Sequence, residues 1–481
     1  MPAASQVQYT IDSDNRDVEI NTTVRLDCDI SSSSCPVNSW RLPNWPLPED
    51  VEVLNVRDSI GEIEDYSIEG NMLSLETNRG ERRTSETVKI NFRINREAEE
   101  VYRGLRKREF SLPGFSGERT FGEVQMDNVI SGRTTYGFET SYGKDHFNFT
   151  GTGPVQIRLK AGKGNRTEYF EFFGDRPEGN HSLAYEIPVA MTGQVQNFKR
   201  FPVAVMDPET FNRSVGLWSA GEYIGGSIKI RRNLEEEFTP ILAHEVVHGL
   251  NDRVLNWDQT RSSYIDEGTG KYVEYLVKIK LQGRDRVREV FGDDVTYTVQ
   301  RDDGRYRITL PSQGDRERLW KYYRDDMDFM KAWSPVEYPD ERRFGYAYSE
   351  LIIKNFIVNS NGSMRDIYSI DPGKKVDSNE EKWSIYSEKI DLRPCDYSNR
   401  QRFEKCLDRI NNYNYSVYRA SEIDRGSNRI MIEDIDVPER EEVRNPFDFS
   451  PDNSTAEKIS SNSFSTWLRN ILQALRDLLS S

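Results

Sequence analysis

Residues 244–248 read His-Glu-Val-Val-His. On an α-helix, positions four apart share a face, so His244 and His248 can hold one zinc ion between them. Glu245 then stands beside the metal, where a carboxylate can take a proton from a water molecule the metal activates. The neighbours Ile241, Leu242, Val246, Val247 and Leu250 carry helical spacing, with Pro240 in the first turn, so the motif belongs to an apolar helix rather than a loop. The chain has 4 His among 481 residues. A random H-E-x-x-H would arise on the order of three times per thousand such chains.

A catalytic zinc wants a third protein ligand and one open position. The remaining histidines, His146 and His181, lie far upstream in a β-rich region, and neither follows the motif as the third His of a metzincin would. The better candidate is a carboxylate. Glu267 lies 19 positions past His248, early in a second helical pattern over 262–281. The 18 intervening residues leave room for the first helix to end, a loop to turn and a second helix to deliver the side chain.

His-Glu-Val-Val-His, eighteen residues, then Asp266-Glu267-Gly268 with Tyr272 and Glu274 resembles the gluzincin zinc metallopeptidases, in particular the aminopeptidase-N-like branch and its archaeal or bacterial cell-surface members. The resemblance covers roughly residues 200–357. It implies one zinc held by His244, His248 and Glu267, with Glu245 as general base. It implies Glu274 as the carboxylate that orients a ligand imidazole. It also implies a tyrosine on a later helix that stabilises the tetrahedral oxyanion. In Phe344-Gly345-Tyr346-Ala347-Tyr348-Ser349, Tyr346 fits best and Tyr348 is the reserve. The match departs upstream. The Gly-x-Met-Glu-Asn segment that grips a substrate's free amino group in this branch is replaced by Ala220-Gly221-Glu222-Tyr223-Ile224. Glu222 is a candidate for the amine, but without Met and Asn an endopeptidase is as open as an aminopeptidase.

The elements that must position these residues can be read coarsely. Residues 1 to about 185 alternate with period two, as in Thr87–Ile94 and Val155–Leu159, and read as antiparallel β. The Pro-rich stretch Leu42 to Glu49 reads as an irregular loop. Phe201–Met206 reads as a buried strand, and Ser227–Ile230, after Gly225-Gly226, as an edge-like one. Helices follow. The expected architecture is multidomain α+β: a β sandwich or saddle over 1–190, a thermolysin-like catalytic domain over 191–375 with helices toward its C-terminus, a mixed, mainly helical extension over 376–445, and a polar linker with an amphipathic helix over 446–481. The apolar face at 464–479 is also a candidate membrane-surface contact.

Composition narrows the partners. With 65 basic and 80 acidic residues the net charge is −15, which argues against nucleic acid as a partner. Peptides or proteins are the expected substrates. Cys28 and Cys35, and Cys395 and Cys406, suit two small-loop disulfides of an oxidising compartment. Eight Asn-x-Ser/Thr sequons, at Asn21, Asn148, Asn165, Asn180, Asn212, Asn361, Asn414 and Asn453, agree with a glycosylated surface. Met1 runs straight into a strand-like segment, which reads as a mature form with its leader removed, extracellular or at the cell surface; a cytoplasmic protein is the alternative. The leading function is zinc-dependent hydrolysis of peptides. The alternatives are a catalytically silent gluzincin-fold binding module and another hydrolase, of epoxides or esters, on the same scaffold.

Overall fold

The computed structural model describes residues 3–437 apart from 14–16, 29–34, 49–50, 95–97, 136, 144, 197, 217–218, 255–262, 285–286, 288–293, 302–303, 312–315, 317–318, 322–328, 361–362, 371–375, 377, 388–389, 391–394, 396–397 and 426–428. The expected linker and terminal amphipathic helix at 446–481 lie outside the described residues. The architecture is mixed α+β, with several β-sheets.

Alternation builds the N-terminal part. Along Val18–Asp27, side chains go in and out in strict turn, so Val18, Ile20, Val24 and Leu26 are buried. Ser85–Ile94 pairs with it in antiparallel register and adds Val88, Ile90, Phe92 and Ile94. These strands sit in a seven-stranded sheet ordered Glu139–Tyr142, His146–Thr152, Arg119–Gln125, Ala3–Asp12, Val18–Asp27, Ser85–Ile94, Val51–Arg57. Against its inner face packs a four-stranded sheet, ordered Val129–Thr134, Val155–Ala161, Leu105–Leu112, Glu99–Tyr102, which contributes Phe110, Leu112, Ile157 and Leu159 to the same core. Two features differ from expectation. Ala3–Asp12 runs parallel to Arg119–Gln125, so the large sheet is not wholly antiparallel. The stretch expected as a loop overlaps a strand, Arg41–Pro46, which among the described residues pairs with Met72–Glu76 alone. It lies at a sheet edge, where a missing N–H is tolerated, and Leu42 and Trp45 anchor it in the core.

The second core forms around a five-stranded mixed sheet ordered Asn165–Arg166, Phe170–Phe173, Phe201–Met206, Ser227–Arg231, Gly221–Ile224. Phe201–Met206 is buried at every position, because helices cover one face while Ala204 and Met206 meet Leu105, Ile130 and Phe211 on the other. Ser227–Arg231, expected as an edge, is second from it. Gly225 and Gly226, at φ 55° and 84°, make the turn that folds Gly221–Ile224 back as the edge strand. The sheet takes residues from 165 onward, and its core includes Val376, Tyr386, Phe403 and Tyr415 from the C-terminal stretch. Residues 1–438 form one compact unit. Both cysteine pairs form disulfides, Cys28–Cys35 and Cys395–Cys406. Among the described residues no helix is long and apolar enough to cross a membrane.

Candidate metal centre

Three helices carry the candidate residues: the motif helix Phe238–Val254, the carboxylate helix Tyr264–Gln282 and the tyrosine helix Arg342–Ser360. The motif helix is buried nearly all round, with Leu242, Ala243, Val246, Val247 and Leu250 at 0–1% exposure. Such a helix belongs in an interior. His244, Glu245 and His248 are therefore buried along with it, at 5–7% exposure.

The structure brings His244, His248 and Glu267 together. His244 Nε2 lies 3.0 Å from His248 Nε2 and 3.2 Å from Glu267 Oε2, and His248 Nε2 lies 3.6 Å from the same oxygen. They are the one group of metal-type ligands found among the described residues. The donor set passes a direct test of fit. Ligands about 2.0–2.1 Å from a tetrahedral zinc stand roughly 3.3 Å apart, which is the spacing of these three atoms. Three lone-pair atoms converging in a buried place repel one another unless a proton or cation lies between them. Proton affinity shows this convergence. Burial works against the His244 imidazolium, but hydrogen bonds to Glu267 and Glu274 outweigh it and raise its pKa to about 9.

The two site carboxylates are pushed in opposite directions. Burial raises Glu245 above the ordinary carboxylate range, against the pull of His244 and His248. Burial also opposes ionisation of Glu267, yet the His248 charge and hydrogen bonds from both imidazoles hold it far below that range. Separation of this kind divides a proton carrier from a permanent anion.

Around them the support is specific. Glu274 Oε2 is 3.2 Å from His244 Nδ1, so the side chain reaches the imidazole from behind. Lys271 and Lys278 donate to Glu274 at 2.7 and 2.8 Å. Burial opposes its charge, and those two lysines override it, keeping Glu274 well below the ordinary range. Tyr346 meets Trp333 edge-on at 5.6 Å, and the Lys271 ammonium lies 5.4 Å from its ring centre. Burial, then the charges of Glu267 and Glu245, raise its hydroxyl pKa well above the ordinary value, so it stays a donor. Tyr348, the reserve, is fully buried and stacked on Phe344.

Glu222 takes another direction. Tyr223 and Gly221 face the motif helix: Tyr223 donates to Asp252 at 3.0 Å, and Gly221 lies against Glu245. Alternation turns Glu222 to the opposite face of the strand, where it accepts from Lys229, its cross-strand partner, at 3.2 Å. Its charge still contributes to raising Glu245. His181 lies elsewhere, bonded to Thr239 at 2.7 Å. His146 opens a strand of the N-terminal sheet.

Sequence reasoning missed three glycines that make the site fit. A Cβ on Gly270 would meet His244 ring atoms at 2.9–3.0 Å, one on Gly221 would meet Glu245 Oε1 at 2.7 Å, and one on Gly268 would meet the Ser349 carbonyl at 2.5 Å. Glycine at i+3 from a candidate ligand on a helix is the signal that could have flagged Gly270.

No protein-family model matches the sequence, and no curated protein matches it. Solved structures do. An M1 zinc metallopeptidase from Deinococcus radiodurans matches at 9% identity and TM-score 0.33, over 85% of this chain and 94% of that one. Aminopeptidase A from Legionella pneumophila, in complex with aspartic acid, matches at 11% and 0.32, over 90% of this chain and 52% of that one. Yeast LTA4 hydrolase in complex with bestatin matches at 11% and 0.33, over 81% and 65%.

Proposed function

We propose that this protein is a zinc-dependent peptide hydrolase. One observation carries the reading: two imidazole nitrogens and a carboxylate oxygen converge at 3.0–3.6 Å in a buried place, with a fourth group, Glu245, of raised pKa on the same helix. His244, His248 and Glu267 would hold the ion. When bound, zinc supplies a Lewis acid for a water molecule and the scissile carbonyl. Glu245 takes the proton of the attacking water and delivers it to the leaving nitrogen; its raised pKa suits both halves of the transfer. Tyr346, a donor throughout, hydrogen-bonds the carbonyl oxygen as charge develops there. Gly221–Ile224 is an edge strand beside Glu245, and such an edge can pair with an extended peptide.

The pairing of Glu222 with Lys229 favours cleavage that needs no free amino end. Zinc content, together with a scan of amino-blocked and amino-free fluorogenic peptides, tests the proposal. One zinc per chain with cleavage of blocked peptides supports it. Cleavage of amino-free peptides alone would return Glu222 to an amine-binding role. Stoichiometric zinc without hydrolysis would make the protein a binding module instead. For location we propose an oxidising compartment outside the cytoplasm. The two disulfides support this, as do exposed sequon asparagines at Asn21, Asn165, Asn180 and Asn414.

A further inference from the structure

Beside Glu267 stands a carboxylate that the proposed reaction does not use. Asp266 is 0% exposed, and so placed a charge needs full compensation. Its Oδ2 accepts from Ser263 N at 3.0 Å, Ser263 Oγ at 2.8 Å and Lys382 Nζ at 2.8 Å. Its Oδ1 faces Asn251 Nδ2 at 3.5 Å. Lys382, at 1% exposure, lies 116 residues away on the short helix Asn379–Tyr386. Each partner belongs to a different part of the site. Ser263 is the N-cap of the carboxylate helix. Asn251 is on the motif helix, three residues past His248. It also reaches Thr269 Oγ1 at 3.4 Å and accepts from the Tyr368 hydroxyl. The Lys382 helix makes one more tie: Asn379 donates to the Trp333 carbonyl at 3.1 Å, and Trp333 is the ring against Tyr346.

A buried ion pair is a poor source of net stability, because an apolar pair of the same volume often does as well; fixing a register is its best-attested use. We propose that Lys382 is a positioning residue of the metal centre. Through Asp266 it pins the first turn of the carboxylate helix to the motif helix, and so sets the distance between Glu267 and the two imidazoles. This rests on the zinc reading above, and it makes the stretch after residue 375 a working part of the centre.

The test uses the full chain. Removing Lys382 alone would leave Asp266 charged and unpaired, so the decisive variant is Asp266→Asn with Lys382→Met, which removes both charges. Ser263→Ala, which keeps the ion pair and drops one Asp266 donor, is the milder companion. Zinc affinity is read by competition with a chromophoric chelator, alongside melting temperature without metal, kcat and KM. The double variant is expected to melt near the parent, bind zinc at least tenfold more weakly, and lose kcat with KM unchanged; Ser263→Ala should weaken zinc by a few-fold. Parent affinity for zinc in the folded double variant overturns the proposal while leaving the zinc reading intact. Absence of zinc uptake by the parent chain overturns both.

Discussion

Gly270→Ala tests the packing of the proposed metal centre with one methyl group. The added Cβ would lie 2.9 Å from His244 Cε1 and 3.0 Å from its Nδ1 and Nε2. Ordinary carbon contacts begin near 3.5 Å, so the ring must retreat by about 0.5 Å. It has little freedom to do so. Glu274 Oε2 is 3.2 Å from Nδ1, and Nε2 is already 3.0 Å from His248. A zinc site tolerates about 0.2 Å in its ligand distances. A shift more than twice that size should cost about 1.4–2.7 kcal/mol of metal binding, a 10–100-fold loss of affinity. Stability without metal should respond differently. Alanine gains about 1 kcal/mol over glycine in a helix interior, while overpacking costs about 1–3 kcal/mol. The two offset in part, leaving at most about 2 kcal/mol of destabilisation, and the metal-free melting temperature should move by only a few degrees. The assay is chelator competition for zinc beside a thermal melt. A Gly270→Ala protein that binds zinc as tightly as the parent would refute the claim that the His244 ring is held against the backbone of the carboxylate helix.

Three further outcomes are expected. Glu274→Gln removes the charge behind His244 and should weaken zinc binding about 10–100-fold, read by the same competition. Tyr346→Phe should lower kcat about 10²–10³-fold with little change in KM, read by initial rates on a blocked fluorogenic peptide. Lys160 is a buried cation away from the metal ligands, and burial, aided by Lys107, lowers its pKa from 10.5 to about 8. Below pH 8 it is charged in both folded and unfolded chains, and the fold bears the cost; between pH 8 and 10.5 the folded chain releases the proton first, so stability rises with pH. Lys160→Met should therefore stabilise the protein at pH 7 by up to about 3 kcal/mol and flatten that rise, measured by urea unfolding at pH 7 and pH 10.

What the sequence disclosed follows from local rules. His244 and His248 were legible because four residues is one helical turn, and Glu267 because a helix, a loop and a second helix fit the intervening length. The period-two strands of the sandwich were legible for the same reason: burial on one face imposes alternation. Features that depend on contacts between distant segments were not. Lys382 and Asp266 are separated by 116 residues, and no periodicity connects them. Gly270 and Gly221 read only as weak helix or strand residues until their neighbours, His244 and Glu245, are in place. The facing of Glu222 turns on the one-residue alternation of a four-residue strand, Gly221–Ile224. The strand Arg41–Pro46 was hidden because proline argues against strands in general and is tolerated at edges in particular.

In the proposed mechanism Glu245 moves the proton at a zinc centre held by His244, His248 and Glu267. Hydrolysis of a blocked peptide by Glu245→Gln, with zinc content measured on the same sample, tests it most directly. The variant should hold one zinc per chain, as the parent does, and cleave at least 100-fold more slowly. An undiminished rate at full zinc occupancy would contradict it.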